Sequence, residues 1–470
     1  MSTETYTSAV KDLNNLQTNF QIIQQIKASG GRLNEYSIPE FASFVEKIGH
    51  KVADLDRLNV IHVTGTKGKG STCAFVNSLL SSDLESGRRL KIGLFTSPHL
   101  IEVRERIQIN GQPISSDKFA KYFYQVYNAL KAEEPKLRKV MPESPDMPMY
   151  FRFLTLMAYH TFLQESVDVA IMEVGVGGEY DSTNVIQKPV VCGIASLGID
   201  HQGSLGNTLE EIAWHKAGIM KQGAPAYSVE QPDGALRVLE ERAKERHTAV
   251  EVVHPLDHSV ELGIPGEHQA INAALAVKLC QEWAARTNTR FANGSWIADG
   301  LRTARWPGRS QTFASPRHAN ISYNVDGAHT VESMAACGKW FASMAADVPC
   351  VLVFNAAHER NARALLETLW NETKGCRFVA AVFCPNLSNR VDSVNFTVEN
   401  DEELKQQKES AKIWSELSGN SDTTVCATIN KAVEHVESRF GEQSGAKINI
   451  LVAGSLHLVG GFLDAAKGSI

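Results

Sequence analysis

The chain has 470 residues, 43% of them hydrophobic and 21% charged, which excludes a disordered or fibrous protein and is too long for one ordinary core, so two globular domains are expected. Its 47 basic and 53 acidic residues leave a formal charge of -6, which argues against nucleic acid or an anionic membrane as the main partner. Cysteines lie far apart without a CxxC pair, and Cys192, Cys350 and Cys384 sit in apolar runs, which reads as reduced, buried thiols. No run reaches the roughly 18 apolar residues of a membrane span. The opening MSTETYTSAVKDLNNLQTN has neither the basic and apolar regions of a secretory signal nor the arginine-rich look of an organelle presequence, so a cytoplasmic protein is expected, with monomer as the default.

From Asn59 onward, apolar runs alternate with helical patterns. NVIHVTG, KIGLFTS, VDVAIMEVG and VVCGIASL read as buried strands, and apolar spacing near 3.6 residues predicts helices over Ser71 to Ser82, Asp117 to Lys131, Phe151 to Gln164, Leu209 to Lys221 and His268 to Ala285. That rhythm predicts a mostly parallel sheet with helices on both faces, and such sheets gather ligands where their strands end. PKLRKVMPESPDMPM is a proline-studded loop, and GLRTARWPGRSQ reads as a hinge. Beyond it ISYNVDGAH, VLVFNAA, FVAAVFC and INILVAGSLHLVGG restart the strands. The expected architecture is therefore α/β throughout: a P-loop-type domain over 1–304 and a smaller, Rossmann-like domain over 305–470. The charged ENDEELKQQKESAKIWSELSGNSDTT inside the second is expected to be a solvated excursion.

The strongest local signal is NVIHVTG running into TKGKGST and an apolar helix. Gly65, Thr66, Lys67, Gly68, Lys69, Gly70 and Ser71 form a glycine-rich turn whose backbone N–H groups could cradle phosphate at a helix N-terminus, with Lys69 beside the outer phosphates; a flexible strand-to-helix turn is the plain alternative. The spacing is not that of GxxxxGK[ST]. Thr96 and Ser97 leave the next strand, where a hydroxyl could meet a nucleotide-bound cation. Glu173 ends an apolar strand, a costly place for a carboxylate unless a cation or a neighbouring loop meets it. Asp200 and His201 end another strand, and His215 and Lys216 lie on the following helix. Arg309, Asp326 and His329 could close on a nucleotide from the second domain, or serve as a hinge ion pair and an Asp-Gly turn.

Taken in order, TGTKGKGST, TSPHL, VRERIQINGQPIS, YFRFLTLMA, EVGVGGEYDSTN, SLGIDH, IAWHKAGI, GEHQAINAALA, WPGRSQ, DGAHT and GSLHLVGG resemble the folylpolyglutamate synthases, particularly those of animals, within the superfamily that includes the Mur ligases. The resemblance implies ATP-dependent addition of L-glutamate to the γ-carboxylate of reduced folates through an acyl phosphate, with Mg2+ and a monovalent cation such as K+. It assigns magnesium to Ser97, Glu173 and His201. Nucleotide contacts fall on the 68–71 loop, Asn272, Arg309 and Asp326, and Lys216 becomes a carbamylated lysine. His329 and Ser455 fall where relatives handle glutamate or the reacting acyl group, and Arg104 or Arg106 would face a folate carboxylate, or else be exposed ion-pair partners. The second domain would close over ATP and glutamate. NAAHERN stands where animal relatives often have NATGDRD. Dihydrofolate synthase, which shares the scaffold, and a non-ligating nucleotide switch are the competing readings.

Overall fold

Strands β1 (Ile61–Thr64), β2 (Ile92–Phe95), β5 (Val169–Glu173) and β6 (Val191–Ile194) are buried at every position, as continuous apolar runs must be when helices cover both faces of a sheet. In this computed structural model, which describes residues 4–16, 34–132, 136, 139–140, 144–257, 259–345, 347–356, 360–387, 404–441 and 446–467, the chain forms two compact units. The first comprises Met1–His99, Val103–Gly263 and Gln269–Arg305; the second comprises Leu100–Glu102, Ile264–His268 and Trp306–Ile470.

The sheet of the first unit also contains β3 (Ile107–Ile109), β4 (Gln112–Pro113), β7 (Ala226–Val229) and β8 (Val250–Val253), in the order β4-β3-β2-β5-β1-β6-β7-β8. All neighbours are parallel except β2–β3 and β3–β4. That antiparallel edge was not expected, yet its signal is present in the sequence. Asn110 and Gly111, at φ 52° and 73°, make the two-residue turn that an Asn-Gly pair favours between strands. Gly93 on β2 abuts Phe162 of the helix Tyr150–Gln164, and Gly193 on β6 abuts Leu279 of the helix Gln269–Arg286. Strand register aligns Gly93 with Ala170 and Gly193, through Val63, with Glu173. Residues three apart on one strand point to opposite faces, so these helices cover both sides.

The second sheet contains β9 (Gln311–Ala314), β10 (Ile321–Val325), β11 (Pro349–Phe354), β12 (Arg377–Phe383), β13 (Thr423–Val425) and β14 (Ile448–Ala453), in the order β13-β12-β11-β14-β10-β9, with only β9 antiparallel. Along β11, Val351 and Val353 enter one apolar cluster while Cys350, Leu352 and Phe354 enter the other. The charged stretch corrects the expectation of a solvated excursion. Lys405–Ser418 is a helix whose apolar face puts Ala411, Ile413 and a fully buried Trp414 into the second of these clusters. Net polarity hid a helical stripe, because only one side of a surface helix needs to be apolar. The residues before it, 388–403, and Ala357, His358 and Glu359 of NAAHERN, lie outside the described residues. All eight cysteines are buried and free, and no helix among the described residues is long and apolar enough to cross a membrane.

Candidate active site

β1 runs into the turn 65–68, and Gly68 caps the helix Lys69–Leu80 in a left-handed conformation, φ 84°. Glycine is required there for a second reason: a Cβ would land on the Asn272 carboxamide oxygen. Asn272, itself buried, donates to Gln269 Oε1 at 3.0 Å, and Gln269 reaches Ser71 Oγ at 3.4 Å, so the helix Gln269–Arg286 braces one flank of the turn. On the other flank the Thr66 and Lys67 amides donate to Ser196 O at 2.9 and 3.0 Å. A Cβ on Gly65 would sit 2.8 Å from Ala195 Cβ. The sequence-predicted loop is thus a fixed turn at a helix N-terminus, where backbone N–H groups favour an anion.

Two lysines share one acceptor in this turn. Lys69 Nζ donates to Gly65 O at 2.9 Å, and Lys216 Nζ donates to the same oxygen at 2.8 Å. Lys216 is only 3% exposed, and burial, followed by the Lys69 charge, presses its pKa down to about 7 against the pull of Asp200 and Asp181. A large share of neutral amine at neutral pH is what reaction with carbon dioxide needs, and an ordinary lysine lacks it. The helix that carries Lys216, Leu209–Ala217, starts at a Thr208–Glu211 capping box. Its last turn is gripped by the EVGVGG loop: Glu179 N donates to His215 O at 2.7 Å, and Gly178 lies so close that a Cβ would sit 2.9 Å from Lys216 O.

Glu173 is 3% exposed at the end of β5, and its Oε2 accepts from the Thr96 hydroxyl and, at 3.1 Å, from Ser97 N. The Thr96 hydroxyl therefore positions the carboxylate. His201 lies on the exposed turn after β6 in a left-handed conformation, its amide bound to Asp200 Oδ1 at 2.9 Å. Among the described residues no three His, Cys, Asp or Glu side chains converge as a metal cage. Ser97 and Glu173 offer the hard oxygens that magnesium takes, and that ion is ordinarily held by one or two carboxylates together with substrate phosphates and water.

The two candidate arginines separate. Arg104 spends a guanidinium N–H on Ile114 O at 3.2 Å, and so helps fix the strand turn. Arg106 receives a firm placement of another kind: Nε donates to His99 Nδ1 at 2.9 Å and the guanidinium lies 5.6 Å over the Tyr150 ring, with burial pushing its pKa down. No carboxylate among the described residues forms an ion pair with it.

In the second unit, Asp326 ends β10 with its oxygens engaged by Ser310 N at 2.7 Å, Ser310 Oγ at 3.3 Å and Ala328 N at 2.9 Å. Those bonds tie the GRSQ segment to the DGAH turn, the Asp-Gly turn of the plain alternative. Gly327 leaves room for the Arg309 guanidinium, which a Cβ there would displace and whose Nη1 also reaches Gly308 O at 3.4 Å. His329 Nδ1 is 2.8 Å from Gly327 O, the residue sitting just before the helix Val331–Met344. His268 joins this group, burial lowering its pKa while Asp326 raises it and Arg309 lowers it. Ser455, 4% exposed after β14, accepts from Asn386 Nδ2 and from His457 N, each at 3.2 Å.

No protein-family model matches the chain. Folylpolyglutamate synthase of Saccharomyces cerevisiae, strain YJM789, is 43% identical over 484 aligned residues, covering 98% of this chain and 86% of the yeast protein. This chain belongs to the folylpolyglutamate synthase family. The Mycobacterium tuberculosis folylpolyglutamate synthase complexed with ADP and AMPPCP shares the fold, with a TM-score of 0.71 at 24% identity over 90% of this chain and 94% of that one. Escherichia coli FolC in complex with DHPP and ADP also shares it, at a TM-score of 0.66 and 22% identity over 90% and 92% of the two chains.

Within this folylpolyglutamate synthase scaffold, sequence reasoning passed over Asp181. Buried, with burial pushing its pKa up, it accepts from Thr183 N at 3.0 Å, Thr183 Oγ1 at 2.6 Å and Val176 N at 3.1 Å, and so shapes the EVGVGGEYDSTN loop that grips Lys216. The signal was available: an aspartate two residues before a threonine is a self-bonding turn. Glu179 was missed as well; it is clamped by Arg242 at 2.5 Å and Arg246 at 2.5 Å, and no local pattern links positions more than 60 residues apart.

Proposed function

We propose that this chain uses ATP to add L-glutamate to the γ-carboxylate of reduced folates and their polyglutamates, releasing ADP and phosphate by way of an acyl phosphate. The observation that carries the reading is the turn 65–71, which fixes Lys69, and through Gly65 O also Lys216, one strand away from the buried Glu173. A carboxylate is a poor electrophile, and transfer of a phosphoryl group to it supplies a leaving group that the incoming amine displaces.

The roles follow from the chemistry of each side chain. The loop amides and Lys69 bind and orient the outer phosphates, and Asn272 keeps the loop open by filling the space against Gly68. Bound with the nucleotide at Ser97 and Glu173, with His201 from the neighbouring turn, magnesium would neutralise phosphate charge as phosphoryl transfer proceeds. Thr96 holds Glu173 in place. Carbamylation of the Lys216 amine would turn a donor into a two-oxygen acceptor for a further cation, with K+ a candidate for a monovalent site. Arg106 rather than Arg104 receives the folate carboxylate, since its guanidinium is held by His99 and Tyr150 and, among the described residues, no carboxylate is ion-paired with it, Glu173 and Glu105 acting on it only through space. Arg309 suits the nucleotide phosphates by its charge, and His329 the reacting acyl group.

The decisive experiment supplies ATP, magnesium, potassium, labelled glutamate and tetrahydrofolate, and separates the products by chromatography. A ladder of labelled folates establishes the activity. Incorporation only with dihydropteroate would instead make the chain a dihydrofolate synthase, and folate-independent ATP turnover with no incorporation would leave a nucleotide switch. For Lys216, its alanine variant should regain part of its activity when a short carboxylate is added to the buffer; no rescue, with an unmodified lysine seen by mass spectrometry in the parent, would refute the carbamate.

A further inference from the structure

The second sheet ends in a run of buried and half-buried carboxamides that no part of the reading above uses. Gln407, on the helix Lys405–Ser418, donates Nε2 to Asn355 Oδ1 at 2.9 Å; Asn355, just past β11, donates Nδ2 to Asn386 Oδ1 at 3.0 Å; and Asn386, past β12, donates Nδ2 to Ser455 Oγ at 3.2 Å. Gln407 and Asn355 are 4% and 6% exposed and Ser455 is buried too, while Asn386 between them is half-buried. Every amide in it points the same way, nitrogen toward Ser455. At the far end Gln407 Oε1 is buried with no hydrogen-bond partner among the described residues.

This direction decides what Ser455 can do. A hydroxyl has two lone pairs and one proton. Asn386 Nδ2 takes one lone pair and His457 N, also at 3.2 Å, takes the other, so the proton is what remains to be given. No acceptor for it is found among the described residues. A serine fixed as a donor at the carboxyl edge of a parallel sheet suits an anionic oxygen.

We propose that Gln407, Asn355 and Asn386 are positioning residues that hold Ser455 as an obligate hydrogen-bond donor to a carboxylate oxygen of the incoming amino acid. The proposal rests on the ligase reading and adds a role for the charged segment that holds Gln407. If the run were reversed, Ser455 would donate to Asn386 Oδ1 and have only a lone pair to offer, which repels a carboxylate. Uniform direction is worth maintaining because hydrogen-bonded amides polarise one another.

The test is steady-state kinetics of glutamate addition by the full chain, with KM for glutamate, KM for ATP and kcat measured separately. Gln407→Met keeps the volume and removes the donor; Gln407→Glu keeps the shape and can only accept, which turns the run around. Both should raise KM for glutamate, by about tenfold for a lost hydrogen bond to a charged group, while KM for ATP stays within about twofold. Gln406→Leu is the control for the helix: Gln406 binds only the Ala356 carbonyl, at 2.9 Å, and its loss should leave KM for glutamate unchanged. In a Ser455→Ala background the Gln407 changes should add nothing further, since the hydroxyl they act through is gone. A normal KM for glutamate in folded Gln407 variants, or a full additional effect in the Ser455→Ala background, overturns the proposal. Absence of glutamate incorporation by the parent enzyme would instead refute the ligase reading itself, a separate outcome.

Discussion

At the carboxyl edge of the first sheet the candidate side chains carry charge, whereas at the same edge of the second sheet, besides Asp326, Arg309 and His329, lies a run of neutral ones. Lys69 and Lys216 converge on the Gly65 carbonyl and Glu173 is buried against two donors, while Asn355, Asn386 and Ser455 form a run of amides and a hydroxyl. On the proposed function, the contrast is a division of labour. Phosphoryl transfer gathers negative charge that only cations and strong donors can stabilise, and a group that must merely be oriented is served by neutral donors whose direction is fixed.

That contrast can be broken most forcefully on the charged side. Lys69→Ala and Glu173→Ala should each lower kcat on the order of a thousandfold or more with circular dichroism unchanged, since each removes a charge acting on the transition state. A near-normal rate in either variant would erase the distinction between the two edges. A smaller effect, confined to one substrate, is expected for the two arginines. Arg106→Ala should raise KM for the folate by about tenfold to a hundredfold, and Arg104→Ala by no more than about twofold, because the loss of a charge-assisted bond to a carboxylate is felt only where that bond exists. Equal effects would show that placement by His99 and Tyr150 confers no advantage.

A last expected effect is on stability rather than on turnover, and it is small at any one pH step. Lys216 has an ordinary value of 10.5 and a folded value of about 7, so between those pH values the unfolded chain binds more protons than the folded one. Stability should therefore climb as pH rises through that window, by at most about 1.4 kcal/mol per pH unit, and the penalty for the buried ammonium is fully present below it. Lys216→Met should flatten the slope in chemical denaturation measured in carbon dioxide-free buffer. If the slope survives, some other buried group is responsible and Lys216 is not the amine that burial has neutralised.

How much of this was readable beforehand depended on whether the cause was local. The glycine-rich turn 65–71 was legible because glycines, lysine and hydroxyls follow one strand without a break, and the burial of Glu173 because a carboxylate inside an apolar run has to be accounted for. The β3–β4 hairpin was equally local, an Asn-Gly turn that was overlooked. Separating Arg106 from Arg104 was beyond sequence reasoning, since two arginines flanking one glutamate look alike until His99, Tyr150 and the Ile114 carbonyl take their places.

By itself, then, the sequence determined the alternation of strands and helices, the two α/β halves and the strand ends that carry the candidate site residues, because periodicity and turn residues act over a few positions. Tertiary structure alone decided which side chains are buried and what they face. It gave Lys216 a pKa of about 7, committed Thr96 to Glu173, and turned a charged stretch into a helix that carries Gln407 to Asn355. Desolvation and hydrogen-bond direction arise from groups far apart in the chain, so they exist only once the fold has brought those groups together.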